Sequence, residues 1–130
     1  MDLERKQVKA ILLYGHGARN PEWARPFELI RSAIKARNPR ALVEPGFLEL
    51  MRPTFDEGVA CLIEQGATSI MVVPIFMAAG SHVKKDLPRL AADAMDRHAG
   101  LVIELAAPVG EAESVLAAMA DYALKAQPAE

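Results

Sequence analysis

The sequence predicts an α/β fold: a three-layer arrangement with a four-stranded parallel sheet, in the flavodoxin-like order 2-1-3-4, flanked by helices. Four apolar runs alternate with four segments of helical period along the 130 residues. The first and third runs are apolar at every position, which is typical of inner strands. The second run is interrupted by Pro45, which removes a ladder donor and indicates an edge strand.

The first half of the chain predicts two strand–helix units. Strands are expected over residues 10–14 and 41–48. Asn20 and Pro21 form an N-cap and first helical residue, and the helix after them ends at residues 38–39. Its apolar face consists of Trp23, Phe27, Ile30 and Ile34. The second helix starts near Pro53 and stops at Gly66, with an apolar face of Phe55, Val59, Leu62 and Ile63.

The second half predicts two further units. A central strand is expected over residues 70–76, followed by a helix that ends at Gly100. That helix carries an apolar stripe of Leu87, Leu90, Ala91, Ala94 and Met95. A fourth, edge strand covers residues 101–105. The last helix, about residues 111–125, is expected to turn Val115, Met119 and Tyr122 inward. We expect a single domain over 1–130, with an ordered core of about 8–126.

Composition narrows the class of protein. The formal net charge of −2 argues against a general nucleic-acid binder. No apolar run approaches the length of a membrane span, and the charged first six residues lack the apolar region of a signal peptide. The single cysteine, Cys61, excludes an intramolecular disulfide framework and is typical of a reducing compartment. We therefore expect a cytoplasmic protein with neither a nucleic-acid nor a membrane partner.

Chemically capable side chains follow three neighbouring strands. His16 follows the first strand, Glu49 the second and His82 the third. The carboxyl ends of parallel strands share one edge, where open α/β sheets bind ligands at the point at which strand order reverses. Three cations lie in the same loops, and they are either ordinary surface charge or contacts for an anionic ligand: Arg19, Lys84 and Lys85. The third histidine, His98, lies at a helix end, where a structural role is expected.

The residue types favour metal and proton chemistry. Imidazole and carboxylate together bind divalent transition metals and accept protons near neutral pH. The sequence has no His-Glu-x-x-His motif and no cysteine pair, so it does not predict a tightly held structural zinc. It also lacks a Gly-x-Ser-x-Gly elbow and a Walker A loop. A transiently bound metal together with an acidic organic ligand fits this set of residues.

At these residues the sequence resembles the sirohydrochlorin chelatases of the short, single-domain CbiX/SirB type, which are class II tetrapyrrole chelatases. The resemblance rests on residues 15–19 (Gly-His-Gly-Ala-Arg), 47–50 (Phe-Leu-Glu-Leu) and the long segment 72–88. Ala18 replaces the serine that is usual in the first motif, so one hydroxyl donor is lost. Pro45 and Gly46 interrupt a strand that is usually more regular.

The resemblance implies a function. The family inserts a divalent metal into sirohydrochlorin without a nucleotide, releasing two protons: cobalt towards cobalamin, iron towards siroheme, or nickel. The two family histidines fall on His16 and His82, which implies metal binding and catalysis there, and the active-site acid falls on Glu49. The metal is a substrate, and no permanently bound cofactor is expected. Short members form homodimers.

Two alternatives remain open from the residues. A protein of this fold could carry a metal or tetrapyrrole without inserting anything, and turnover in excess of protein would separate that carrier from an enzyme. A hydrolase that uses Ser81 with a histidine is the second, although no acid at a known spacing would orient the histidine.

Overall fold

Four parallel strands form one sheet in the order β2-β1-β3-β4 in the computed structural model, which confirms the predicted topology. The model describes residues 7–78 and 80–129, and for His82 the backbone alone. The charged residues 1–6 lie outside the described part of the chain. The strands are β1 (Lys9–Gly15), β2 (Leu42–Phe47), β3 (Ser69–Pro74) and β4 (Val102–Leu105).

Four helices alternate with these strands. They are α1 (Arg25–Arg37), α2 (Phe55–Glu64), α3 (Ser81–Arg97) and α4 (Glu113–Ala126). Short 3-10 turns precede α1 at Pro21–Ala24 and α4 at Val109–Glu111. No helix in the described ranges is both long and apolar enough to cross a membrane.

The edge position predicted for β2 is confirmed. This strand pairs with β1 alone, with Pro45 opposite Leu13. An edge strand tolerates proline because only one neighbour requires ladder hydrogen bonds from it. The strand runs on through Pro45 and Gly46, so the interruption in the sequence does not break the sheet.

The two faces of the sheet are covered unequally. On one face, Leu12 and Tyr14 of β1 belong to an apolar core that α2 and α3 complete with Val59, Leu62, Leu87 and Ala91. On the other face, α1 packs over β1 and β2, where the rings of Phe27 and Phe47 meet edge to face at 4.9 Å. Gly15 permits that contact, since a Cβ there would lie 2.4 Å from the Phe27 ring.

The last helix differs from the prediction. No residue of α4 is buried, and Met119 and Tyr122 are 42% and 75% exposed. Of the three residues predicted to turn inward, Val115 alone is partly buried. The β3–β4 half of the second sheet face is correspondingly open, with Met71 and Val102 37% and 43% exposed. Helical periodicity identifies an apolar face but does not specify the surface that covers it.

The start of the first helix also differs. The first turn is 3-10 instead of α-helical, and the Arg25 N–H donates to the Glu22 carbonyl. Pro26 has no N–H, so it cannot make the α-type hydrogen bond to Glu22. Trp23, predicted on the inner face of the helix, is therefore in this turn and is 65% exposed.

The N-terminus of α2 gives a pH-dependent contribution to stability. Thr54 and Glu57 form a capping box, and the Arg52 Nε donates to the Glu57 carboxylate at 3.0 Å. The Arg52 hydrogen bond, followed by the Thr54 backbone N–H, lowers the pKa of Glu57 to about 2. Because this pKa is below the unfolded value, the stabilisation is complete above about pH 4.5 and is lost as the pH falls towards 2.

We expect Glu57→Gln to lower the free energy of unfolding at pH 7 and to flatten its fall between about pH 4.5 and 2. Urea unfolding at several pH values measures both effects. Glu28→Gln, which alters a first-turn glutamate of α1, is the control. An unchanged pH dependence in Glu57→Gln would show that this contact does not stabilise the fold.

Candidate functional site

The carboxyl edge of the sheet brings His16 and Glu49 together. The Nε2 atom of His16 lies 3.1 Å from the Oε1 atom of Glu49. Both side chains are slightly more than half exposed, so solvent or a ligand reaches them. The sequence predicts that these two residues share an edge, and the structure places them in direct contact.

The backbone fixes this pair in place. Beyond the last paired residues of β1 and β2, the Leu48 N–H donates to the Gly15 carbonyl at 2.9 Å, and the Glu49 N–H donates to the His16 carbonyl at 3.1 Å. These bonds extend the ladder past the strand ends. The two loops therefore leave the sheet side by side, which places the side chains of His16 and Glu49 next to each other.

Two residues in these loops adopt left-handed backbone conformations. Gly17 has a φ of 95°, and a Cβ there would lie 1.8 Å from the Glu49 carbonyl oxygen. Only glycine fits so close an approach. Leu50 has a φ of 66°, which is strained for a residue with a branched side chain. Leu50 directly follows Glu49, and its left-handed conformation turns the chain back towards the start of α2.

A cavity of about 620 Å³ opens beside His16. Its walls are mostly apolar and aromatic, and include Trp23, Phe27, Phe47, Met51, Phe76 and Met77. Ala18 also lines it, so the residue that replaces the motif serine makes the wall more apolar. The sequence predicts a ligand crevice at this edge, but it places Trp23 and Phe27 on the apolar face of the first helix and does not predict the aromatic wall. The available signal was the lone tryptophan immediately after the first motif.

Of the remaining predicted site residues, Arg19 lies in the loop after β1, whereas Lys84 and Lys85 lie near the start of α3. The α3 helix begins at Ser81, so the backbone of His82 follows the loop after β3, while its side chain lies outside the described part of the structure. Arg19, Lys84 and Lys85 are exposed. None of the ion pairs among the described residues includes any of these three cations, which leaves them accessible to an anion.

Tyr14 lies beneath the site at the end of β1 and is 1% exposed. Burial, and then the negative charges of Asp86 and Glu49, raise the pKa of its hydroxyl to about 12. The phenol therefore stays protonated near neutral pH. It can donate a hydrogen bond, but it does not serve as a proton acceptor.

The third histidine is on the opposite edge of the sheet. His98 borders a separate cavity of about 180 Å³ beside Thr68 and Leu101, which precede β3 and β4. Its N–H donates to the Ala94 carbonyl and its carbonyl accepts from the Leu101 N–H. These contacts give its backbone a role in ending α3 and starting β4.

The described side chains at this edge include two potential metal donors, His16 and Glu49. Among the described side chains, no three from histidine, cysteine, aspartate and glutamate cluster as a metal site. The His16–Glu49 pair alone offers two donors at an exposed edge, whereas a structural zinc site is closed by four ligands.

The edge that holds His16 and Glu49 lies within a segment that matches a protein-family model. The CbiX model matches residues 10–126, which includes all four strands and all four helices except residues at the very start of β1. The chain belongs to the CbiX family. In this CbiX chain the predicted motifs thus coincide with the edge at which His16 and Glu49 meet.

Curated relatives of this CbiX chain are sirohydrochlorin cobaltochelatases. The protein of Methanocaldococcus jannaschii is 40% identical over 91 residues, which is 70% of this chain and 64% of the relative. The protein of Sulfolobus acidocaldarius is 34% identical over 116 residues, which is 89% of this chain and 90% of the relative. The chain thus spans less than two thirds of the methanogen protein and most of the Sulfolobus one.

Solved structures of CbiX/SirB proteins share the fold. The CbiX protein of Marinobacter aquaeolei VT8 has a TM-score of 0.77 and 30% identity, covering 91% of this chain and 96% of that one. The sirohydrochlorin chelatase SirB of Bacillus subtilis subspecies spizizenii, in complex with cobalt, has a TM-score of 0.75 and 32% identity. It covers 91% of this chain, which in turn covers 50% of SirB.

Proposed function

We propose that this protein inserts a divalent metal into sirohydrochlorin. The observation that carries the proposal is the His16–Glu49 contact of 3.1 Å on the rim of an apolar cavity. The imidazole supplies a metal donor, the carboxylate a proton acceptor, and the cavity a surface for the flat macrocycle. The names of the curated relatives support the same substrate.

The metal is held as a substrate between the two motif histidines. His16 and His82 bind it as neutral imidazoles, because a protonated imidazole has no free lone pair. Cobalt is the first candidate, since the relatives are cobaltochelatases and SirB has been solved with cobalt. Iron follows, as SirB has also been solved with Fe³⁺, and imidazole suits nickel as well.

Two pyrrole protons must leave as the metal enters the ring. Glu49 lies within hydrogen-bonding distance of His16, so its carboxylate accepts the protons one at a time beside the bound metal and passes each to water at the exposed edge. Tyr14 does not take part as an acceptor, because its pKa is raised to about 12.

The substrate is a polycarboxylate, and the site offers it cations. Arg19, Lys84 and Lys85 contact its carboxylates in the proposed complex, and within the described residues no protein carboxylate is ion-paired with them. Such contacts orient the ring while leaving its centre free for the metal.

Catalysis is tested by an anaerobic absorbance time course. Protein at low concentration is mixed with excess sirohydrochlorin and Co²⁺, Fe²⁺ or Ni²⁺, with His82→Ala in parallel. We expect many turnovers with at least one metal and their loss in the variant. A spectral change that stops at one equivalent would establish the carrier instead, an alternative that no comparison supports.

We also propose that two copies associate through α4. Two exposed apolar surfaces support this association. The first lies on α4 and consists of Leu116, Met119, Tyr122 and Leu124. The second is the uncovered β3–β4 half of the second sheet face, which includes Met71 and Val102. In the proposed dimer, α4 of each copy covers the exposed β3–β4 half of the sheet in the other copy. The chain covers half of SirB, which supports a pair of such units.

We expect a mass of about twice 14.1 kDa by light scattering, and a monomer for Met71→Asp. A carboxylate on the uncovered face would be buried without a partner in the dimer, whereas it remains hydrated in the monomer. Leu29→Asp, at an exposed apolar residue of α1, is the control. A parent that is monomeric at all concentrations would contradict the association.

The single-domain organisation over 1–130 and a cytoplasmic location are part of the same proposal. The lone cysteine supports the location, because reducing compartments do not favour disulfide frameworks.

A further inference from the structure

Trp23 combines a fixed backbone with an exposed indole. The Asn20 side chain accepts a hydrogen bond from the Glu22 N–H at 3.0 Å, and the Trp23 N–H donates to the Asn20 carbonyl at 3.1 Å. The turn then continues directly into α1. The indole is nevertheless 65% exposed and forms part of the cavity wall beside His16. The backbone of Trp23 is thus held by the turn, while most of the indole surface has no partner among the described residues.

Met77, in a neighbouring segment, is likewise an exposed apolar residue on a hydrogen-bonded backbone. It follows β3, lines the same cavity and is 60% exposed. Its segment is held by the Gly110 N–H, which donates to the Phe76 carbonyl at 2.9 Å. Two large apolar side chains therefore lie at the mouth of an aromatic cavity with most of their surface exposed, which is typical of a binding site.

We propose that Trp23 stacks against one face of the sirohydrochlorin ring, with Met77 contacting the same bound ring. This inference rests on the proposed function and specifies how its substrate is held. The chemistry of the occupant matches the site: a conjugated, flat ring bears charged carboxylates around its periphery. The apolar cavity suits the ring face, and the exposed Arg19, which directly follows the lining residue Ala18, suits a carboxylate at the periphery.

In the proposed complex, stacking on Trp23 places the ring next to His16 and Glu49. His16 lies on the same cavity wall as Trp23, so a ring that covers the indole is also beside the imidazole. The contact is made with the ring before and during insertion alike. Its loss should therefore raise KM and the dissociation constant far more than it lowers kcat.

The test compares Trp23→Ala and Trp23→Phe with the parent and with Leu29→Ala. Leu29 is 59% exposed on α1 and does not line the cavity, so its removal controls for a lost surface side chain. Two quantities are measured: the dissociation constant for metal-free sirohydrochlorin, from its absorbance change, and KM and kcat for insertion. Thermal unfolding verifies that each variant is folded.

We expect Trp23→Ala to raise both KM and the dissociation constant about tenfold, or about 1.4 kcal/mol, with kcat changed by less than about threefold. Trp23→Phe should recover most of the loss, because a smaller aromatic ring still stacks. Leu29→Ala should match the parent. If Trp23→Ala fails to fold, the dissociation constant of Trp23→Phe decides, with a rise of about two- to threefold expected.

Three outcomes would overturn the inference or its basis. Variants with parental KM and dissociation constant, in an active parent, would show that the indole does not contact the ring and would leave the proposed function intact. A parent that neither binds nor metallates sirohydrochlorin would refute the proposed function itself. Trp23 is the only tryptophan, so a blue shift of its emission with protein concentration alone would show that a second copy covers it instead.

Discussion

His16→Ala is expected to lower kcat/KM for metal insertion by about a hundredfold or more. The variant loses the proposed metal donor and the partner of Glu49 in one step, because the two side chains are in contact at 3.1 Å. Of the two proposed histidine donors, His82 alone then remains to exchange the bound waters of the metal. The multiple-turnover absorbance assay measures the loss directly.

The chain supplies its own control for this experiment. His98 is on the opposite edge of the sheet, beside a different cavity, so His98→Ala should retain the parental rate. Glu49→Gln keeps the shape of the side chain but removes the proposed proton acceptor, and a fall of about ten- to hundredfold is expected. The double variant of His16 and Glu49 should be scarcely worse than His16→Ala, since the two residues act as one unit. A His16→Ala enzyme within about threefold of the parent would refute the assignment.

Gly17→Ala is expected to disable the site although it adds a single methyl group. Its Cβ would lie 1.8 Å from the Glu49 carbonyl oxygen, so the two loops must separate. That movement breaks the backbone bond from Glu49 to His16 and pulls their side chains apart. We expect a fall of about tenfold or more in kcat/KM, together with a lower unfolding temperature.

Gly66→Ala separates the two causes of that effect. Gly66 also has a positive φ, 103°, but a Cβ there meets nothing within 4 Å. It should lose about 1 kcal/mol of stability from backbone strain and keep full activity. Equal activity in the two variants would show that the close approach of Gly17 to Glu49 does not position the site.

The strand order could be predicted because local signals and burial agree. The fully apolar runs of β1 and β3 mark inner strands, and Pro45 marks the edge. The pairing of His16 with Glu49 follows from the same order, since β1 and β2 are neighbours whose carboxyl ends share an edge. Topology therefore converts residues that are distant in the chain into a site.

Features that depend on three-dimensional closeness could not be predicted. Helical spacing places Trp23 on the same face as Phe27, and both side chains line the cavity, but the 3-10 turn before Pro26 leaves the indole 65% exposed. The contact between Gly17 and the Glu49 carbonyl arises from the approach of two loops, which no local pattern encodes. The stripe of α4 was recognised, but periodicity carries no information about the surface that covers it.

We propose that His16 and His82 bind the metal at the carboxyl edge of the sheet before it enters the ring. The chain has three histidines, so imidazole proton–nitrogen correlation spectra of untagged protein can resolve each one. We predict that substoichiometric Co²⁺, which is paramagnetic, broadens or shifts the signals of His16 and His82 and leaves His98 unchanged. Glu49→Gln should require more cobalt for the same effect. A titration in which His98 responds first, or in which His16 is unaffected, would contradict the account.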